Sequence, residues 1–157
     1  MHLQEAEIAF ATGKFMAHKP LRNAYESEDI VSAIRIVHSG RMKFCLGNGE
    51  VLPGITLHHI GGHTSGLQVV RVHTARGWVV LASDASHLYD NLRQRNPFPV
   101  VQDVGAMLQG YDELERLADG PDHIIPGHDP AVVELYPRIR GLDFEAVRLD
   151  LAPASAL

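Results

Sequence analysis

Residues 55–66 read Ile-Thr-Leu-His-His-Ile-Gly-Gly-His-Thr-Ser-Gly, an apolar run that ends in two glycines and His63. The run 55–60 predicts a β-strand, and the Gly-Gly pair predicts a tight turn directly after it. Glycine has no Cβ and therefore permits tight backbone geometry where a side chain would crowd a site. His63 is thus expected just beyond the C-terminal end of a strand.

The same arrangement occurs at two further places in the chain. Asp84 follows the apolar run 78–83, and His128 follows the run 123–126 through Gly127. If these strands are neighbours, the three side chains converge at one edge of a sheet. Imidazole and carboxylate are ligands that zinc favours. The repeated pattern therefore predicts a metal site formed by His63, Asp84 and His128.

Each of these residues also has a structural interpretation when taken alone. Asp84 precedes Ala-Ser-His-Leu-Tyr-Asp-Asn-Leu and has the side chain of a helix N-cap. A single His63 or His128 is more often a loop histidine bonded to the backbone. Only the threefold occurrence of the pattern favours the metal site.

On both sides of these motifs, segments with strand patterns alternate with segments with helix patterns. Strands are predicted at 42–46, 55–60, 67–73, 77–82, 123–126 and 147–151. Helical segments are predicted at 3–18, ended by Pro20, and at 27–38, 103–118 and 131–136, with a loop at 91–102. This mixture indicates an α+β fold in which helices cover one face of a sheet.

Composition excludes several classes of protein. The 157 residues are 45% hydrophobic and 21% charged, with a net charge of −5, which disfavours a nucleic-acid partner. No apolar stretch reaches the roughly 18 residues of a membrane span, so no membrane association is expected. The one cysteine, Cys45, and the absence of a signal-peptide pattern favour a cytoplasmic location.

Three motifs together resemble the metallo-β-lactamase superfamily of hydrolases. They are Gly-Gly-His-Thr-Ser-Gly at 61–66, Leu-Ala-Ser-Asp at 81–84 and Ile-Pro-Gly-His at 125–128. The residues that flank the last two motifs are most similar to those of N-acyl-homoserine lactonases. The resemblance runs from near residue 1 to about residue 137. It implies part of an αβ/βα sandwich that binds two zinc ions, with Asp84 bridging them, His63 on one and His128 on the other. A metal-bound hydroxide would then open a lactone or ester substrate.

The family's His-x-His-x-Asp-His motif is absent from the sequence. The expectation is therefore that residues 1–157 form a single domain, the C-terminal portion of the fold without its N-terminal half, with mainly one sheet, its covering helices and an incomplete active site. An apolar sheet face would be left exposed, so the isolated chain is expected to self-associate.

A second departure concerns the position three residues after the bridging aspartate. The lactonases carry a tyrosine there, whereas this chain has His87, with Tyr89 two residues further on. His87 is either a hydrogen-bond donor to an oxyanion or an exposed helix histidine, and Tyr89 replaces the missing phenol only if the local turn differs.

Two other functions remain open at this point. One is a hydroxyacyl-thioester hydrolase of the same superfamily. The other is a degenerate, non-catalytic domain that binds a metal or a partner.

Overall fold

The N-terminal part of the chain forms a small parallel sheet and three helices in the computed structural model, which describes residues 1–155. Strands β1 (His2–Gln4) and β2 (Lys43–Cys45) pair in parallel. Between them lie α1 (Glu5–Ala11), α2 (Lys19–Arg22) and α3 (Ser27–His38).

A five-stranded sheet forms the centre of the fold. Its strands are β3 (Gly49–Leu52), β4 (Ile55–His59), β5 (Gln68–Thr74), β6 (Gly77–Ser83) and β7 (Ile124–Pro126), in the spatial order β3-β4-β5-β6-β7. All neighbours are antiparallel except β6 and β7. The strands β4, β6 and β7 therefore run in the same direction, and their C-terminal ends meet at one edge of the sheet.

The crossover between β6 and β7 is helical, as a parallel pair requires. It contains α4 (Tyr89–Arg93) and α5 (Val104–Leu117), and α6 (Ala131–Leu135) follows β7. Helix α5 begins where the Asp103 carboxylate accepts a hydrogen bond from the Ala106 backbone N–H at 2.9 Å.

The principal core lies between α5 and one face of the sheet. Met107, Tyr111 and Leu114 repeat at helical spacing and are fully buried. They belong to one cluster with Val69 and Val80, which neighbouring strands direct to the same face. Burial of this apolar stripe fixes the position of α5, and with it the loops at both ends of the helix.

The opposite face of the sheet is only partly covered. Val79 and Ile125 pack against Tyr136, and α6 and the segment at 147–149 flank them. Leu81 lies on this face, two residues from Val79, and is 36% exposed. Self-association through this face remains a prediction.

Three sequence predictions about secondary structure are wrong. The segment 3–18 is not one helix: it divides into β1, α1 and a short 3₁₀ helix, Lys14–Ala17. Pro20 lies in the first turn of α2, where its missing N–H costs no hydrogen bond. The segment 147–151 contains a single antiparallel bridge, Val147 to Arg138, instead of a strand.

The other predicted elements are confirmed within a few residues of their ends, and β3 is an additional strand that the glycines around Asn48 concealed. Among residues 1–155, no helix has both the length and the apolar character needed to cross a bilayer. The last two residues of the predicted 1–157 domain lie outside the described part of the chain.

Candidate metal centre

The loop that carries His63 is shaped by glycines and by contact with α5. Gly61 and Gly62 have φ values of +74° and +85°, a conformation that side chains with a Cβ disfavour. A Cβ on Gly62 would also lie 2.7 Å from the Met107 backbone. The glycine pair therefore lets the chain turn sharply beneath the first turns of α5, as the sequence predicted.

The ring of His63 is held in one orientation. Its Nδ1–H donates to the Val100 carbonyl oxygen at 2.6 Å, which leaves Nε2 free to act as a ligand. The ring centroid lies 5.3 Å from that of Phe98 and 6.1 Å from that of His87. A backbone carbonyl that fixes the ring tautomer in this way is typical of metal-binding histidines.

The two strand ends that carry Asp84 and His128 are joined by main-chain contacts. Gly127 and His128 donate backbone N–H groups to the carbonyls of Ser86 and His87, both at 3.0 Å. Ser83 has a φ of +47°, unusual for a residue with a Cβ, and a Cβ on Gly127 would lie 2.7 Å from its carbonyl. Backbone strain of this kind accumulates at functional sites.

Asp84, His87 and His128 form what we term the open cluster. His128 Nε2 lies 2.7 Å from Asp84 Oδ1, and His87 Nε2 lies 3.1 Å from the same oxygen. Each residue offers one ligand atom, and the three atoms are within 4.8 Å of one another. The structure therefore brings together two of the three predicted ligands, Asp84 and His128, and adds His87 to them. The third, His63, lies beside this group, but its ligand atom is not among the three that are mutually close.

The environment of His87 favours its neutral form. Burial, followed by the charge of His128, lowers the pKa of His87, and Asp84 opposes this shift. The ring stacks on Phe98 with a 3.4 Å centroid separation and nearly parallel planes. His87 precedes α4 and its side chain is only 26% exposed, so its interpretation as an exposed helix histidine is wrong.

Asp84 does not cap a helix. The helix that follows, α4, has Leu88 as its N-cap, and the hydrogen bonds of the Asp84 carboxylate within residues 1–155 go to histidine. The N-cap interpretation of Asp84 is therefore wrong, because the chain makes an additional turn at residues 85–88 before the helix begins.

Tyr89 is buried away from solvent, with 6% of its surface exposed. Its backbone N–H donates to the Asp129 carboxylate at 2.9 Å, and burial together with the neighbouring Tyr136 raises the pKa of its phenol. Its hydroxyl has no hydrogen-bond partner within residues 1–155. These contacts attach α4 to the segment after His128.

A second Asp–His group lies at the opposite ends of the same two strands, and we term it the closed cluster. Arg76 precedes β6, and Asp122 and His123 precede β7. Arg76 contacts the Asp122 carboxylate at 2.9 Å, and the two His123 ring nitrogens face Asp122 Oδ1 and the Arg76 carbonyl. Arg76 also donates to the Leu149 carbonyl. Every polar group of this cluster has a partner, which defines a structural role.

Glu7 supports the site, and no sequence pattern identifies it. Its carboxylate accepts hydrogen bonds from the Thr64 hydroxyl at 2.7 Å and the Gly66 N–H at 2.9 Å, and from the Tyr25 hydroxyl. It therefore anchors the loop that carries His63. Glu7 and Thr64 are 57 positions apart, and no local pattern links them.

The fold of this chain matches that of known proteins. No family model matches the chain. Solved structures of lactone hydrolases do match it. One is an N-acyl homoserine lactone hydrolase with N-hexanoyl-L-homoserine bound at its catalytic metal centre (TM-score 0.65, 24% identity, covering 85% of this chain and 48% of that one). Another is a dizinc quorum-quenching lactonase (TM-score 0.58, 17% identity, 82% and 47%).

A curated relative is consistent with these structures. An N-acyl homoserine lactonase from a Bacillus species is 40% identical over 57 residues, 36% of this chain and 23% of that relative. The chain spans about half the length of the solved structures it matches. It has the expected metallo-β-lactamase type of fold, and the resemblance to N-acyl-homoserine lactonases is confirmed.

Proposed function

We propose that this chain supplies the metal-binding residues of a lactone hydrolase. The convergence of Asp84 and His128 at the ends of β6 and β7 carries this proposal, because it joins two ligands 44 positions apart in the sequence. His63 lies at the same edge of the sheet with its Nε2 available. Imidazole and carboxylate groups fit a zinc site.

The proposed assignment of residues follows the resemblance to the lactonases. His63 would bind one zinc ion, His128 a second, and Asp84 would bridge both. A bound zinc ion polarises a carbonyl and lowers the pKa of a bound water. One matched structure is a dizinc lactonase, which supports zinc and a two-ion site. The chain is proposed to be one portion of the complete fold.

The chain's own residues would orient the reacting groups. The Val100 carbonyl and Glu7 hold the His63 ring and its loop, and Phe98 holds the ring of His87. His87 would donate a hydrogen bond to an oxyanion. The burial of Tyr89 beside Tyr136 favours His87 over Tyr89 for this role.

The test is an assay of ring opening by the zinc-loaded complete fold, this chain together with its N-terminal half, with N-hexanoyl homoserine lactone as the substrate and proton release as the signal. We expect zinc-dependent hydrolysis that Asp84→Asn reduces at least about 100-fold. His38→Ala is the matched control, because His38 is an exposed histidine at the end of α3.

Two results would contradict the proposal. Cleavage of hydroxyacyl thioesters without cleavage of lactones would select the thioester hydrolase. A complete fold that binds zinc and hydrolyses neither substrate would select the non-catalytic alternative.

A further inference from the structure

We infer that His87 is a metal ligand, and that Asp84, His87 and His128 hold one divalent transition-metal ion within this chain. This inference rests on the proposed function, since it requires the site to bind metal. It adds a third ligand to the pair formed by Asp84 and His128, and it gives His87 a role other than hydrogen bonding to an oxyanion.

The distances in the open cluster are close to those of a metal-ligand set. Tetrahedral zinc with bonds of about 2.1 Å separates its ligand atoms by about 3.4 Å. The two imidazole nitrogens lie 2.7 Å and 3.1 Å from the Asp84 oxygen, and no pair among the three ligand atoms exceeds 4.8 Å. Small side-chain rotations therefore suffice to place all three around one ion.

The chemistry of the donors also fits a single ion. Both histidines present the same nitrogen, Nε2, to one carboxylate oxygen. Two imidazoles and one carboxylate form a three-residue set that leaves a fourth position open on zinc. Within residues 1–155 the salt bridges of Asp84 are to histidine, so no arginine or lysine occupies the place of the cation.

The cluster is preorganised by groups that do not bind the ion. The His87 carbonyl accepts the His128 backbone N–H at 3.0 Å, which fixes the spacing of the two ligand loops. Phe98 stacks against the His87 ring and limits its rotation. Ligands held in this way lose little conformational freedom when an ion binds.

His63 provides an internal contrast. Its ring centroid lies 6.1 Å from that of His87, and it is not among the three residues whose ligand atoms are mutually close. We therefore expect this ion to depend on His87 and to be largely independent of His63, which the proposed function assigns to the other zinc ion.

The experiment is a titration of the metal-free 157-residue chain with Co²⁺, followed by its visible absorption and by calorimetry. The test variants are His87→Phe and His63→Phe, which keep an aromatic ring against Phe98 and remove the nitrogens. His38→Ala is the control. Circular dichroism and thermal melting of each variant establish that it is folded.

We expect the wild type to bind one Co²⁺ per chain. His87→Phe should bind Co²⁺ at least about 30-fold more weakly and give an altered absorption spectrum, whereas His63→Phe should change the Co²⁺ affinity by no more than about threefold. As a second measurement, zinc should shift the Nε2 resonances of His87 and His128 in ¹⁵N spectra and leave that of His63 in place.

The possible failures are distinguishable. If His63→Phe weakens binding 30-fold and His87→Phe does not, the inference is overturned and the metal site of the proposed function stands. An unshifted His87 Nε2 resonance in the zinc-bound chain overturns it in the same way. If the folded wild-type chain binds neither Co²⁺ nor zinc, the proposed function itself fails.

Discussion

Strands β6 and β7 carry an Asp–His group at each end, and the two groups differ in how their charges are satisfied. In the closed cluster, Arg76 neutralises Asp122, and both ring nitrogens of His123 have acceptors. In the open cluster, Asp84 faces two imidazoles and no arginine or lysine within the described residues. The same residue types thus form a fully paired structural cluster at one end of the strands and a candidate metal-ligand set at the other.

The difference shows that residue identity alone does not define a metal site. Polar groups that satisfy one another stabilise the fold and leave no free ligand. Ligands that converge on a shared point without a protein cation leave room for an ion. Variants in each cluster should separate these two roles by their effects on stability and on metal binding.

Arg76→Ala should produce the largest loss of stability. It removes the partner of Asp122 and the hydrogen bond to the Leu149 carbonyl, and the Arg76 side chain is only 11% exposed. We expect the free energy of unfolding to fall by about 3 kcal/mol in urea titrations. Arg93→Ala, at an exposed pair with Asp90, is the control and should cost less than about 0.5 kcal/mol.

Metal affinity should be the same in Arg76→Ala as in the wild type under conditions where both are folded. A loss of stability below about 1 kcal/mol would show that the closed cluster is not the stronger structural element.

Gly127→Ala should disturb the open cluster through the backbone. The new Cβ would lie 2.7 Å from the carbonyl group of Ser83, so the two strand ends must separate. We expect a loss of about 2 kcal/mol in unfolding free energy and weaker Co²⁺ binding, because His128 follows Gly127 directly. Gly49→Ala, where nothing lies within 4 Å of the new Cβ, is the control. Unchanged stability and metal binding would contradict the close approach of these strand ends.

The matched variants Asp84→Asn and Asp122→Asn compare how much each cluster contributes to the free energy of unfolding when a chelator keeps the chain free of metal. Asp122 interacts with both Arg76 and His123, and its replacement should cost about 1.5 kcal/mol. Asp84 lies among partly exposed histidines, and its replacement should cost about 0.5 kcal/mol.

Added zinc should then raise the melting temperature of Asp122→Asn and leave that of Asp84→Asn unchanged, because only Asp84 is a proposed ligand. Equal responses of the two variants to zinc would remove the distinction between the clusters.

The smallest expected effect is on the pH dependence of stability, and it should come from His58, which lies beneath α5. Burial, followed by the charge of Arg71, lowers the pKa of His58 below 6.5, and its buried Nδ1 has no hydrogen-bond partner among residues 1–155. The unfolded chain then binds protons more readily, so stability is full above pH 6.5 and falls as the pH decreases through the folded pKa.

His58→Gln should make this loss between pH 7.5 and 5.5 shallower, as measured by urea midpoints. His38→Gln is the control, because His38 is exposed. A pH dependence that both variants leave unaltered would show that His58 does not contribute.

Much of the fold followed from local pattern. The periodicity of residues 104–117 and the cap at Asp103 defined α5, and the apolar runs before His63, Asp84 and His128 defined three strands. Residues 147–151 alternate in the same way, yet they form only one bridge, to Arg138, because alternation does not specify which segment a strand pairs with.

Local sequence pattern is enough to place three candidate ligands, His63, Asp84 and His128, at strand ends, and to identify the glycines that keep the adjacent backbone close. How these residues combine depends on tertiary packing. The parallel pairing of β6 and β7 brought His128 to Asp84, and the stacking on Phe98 directed His87 toward the same oxygen. It also placed Glu7 against the His63 loop. These contacts join residues far apart in the chain, and their geometry is set by the packing of whole elements, which no local pattern encodes.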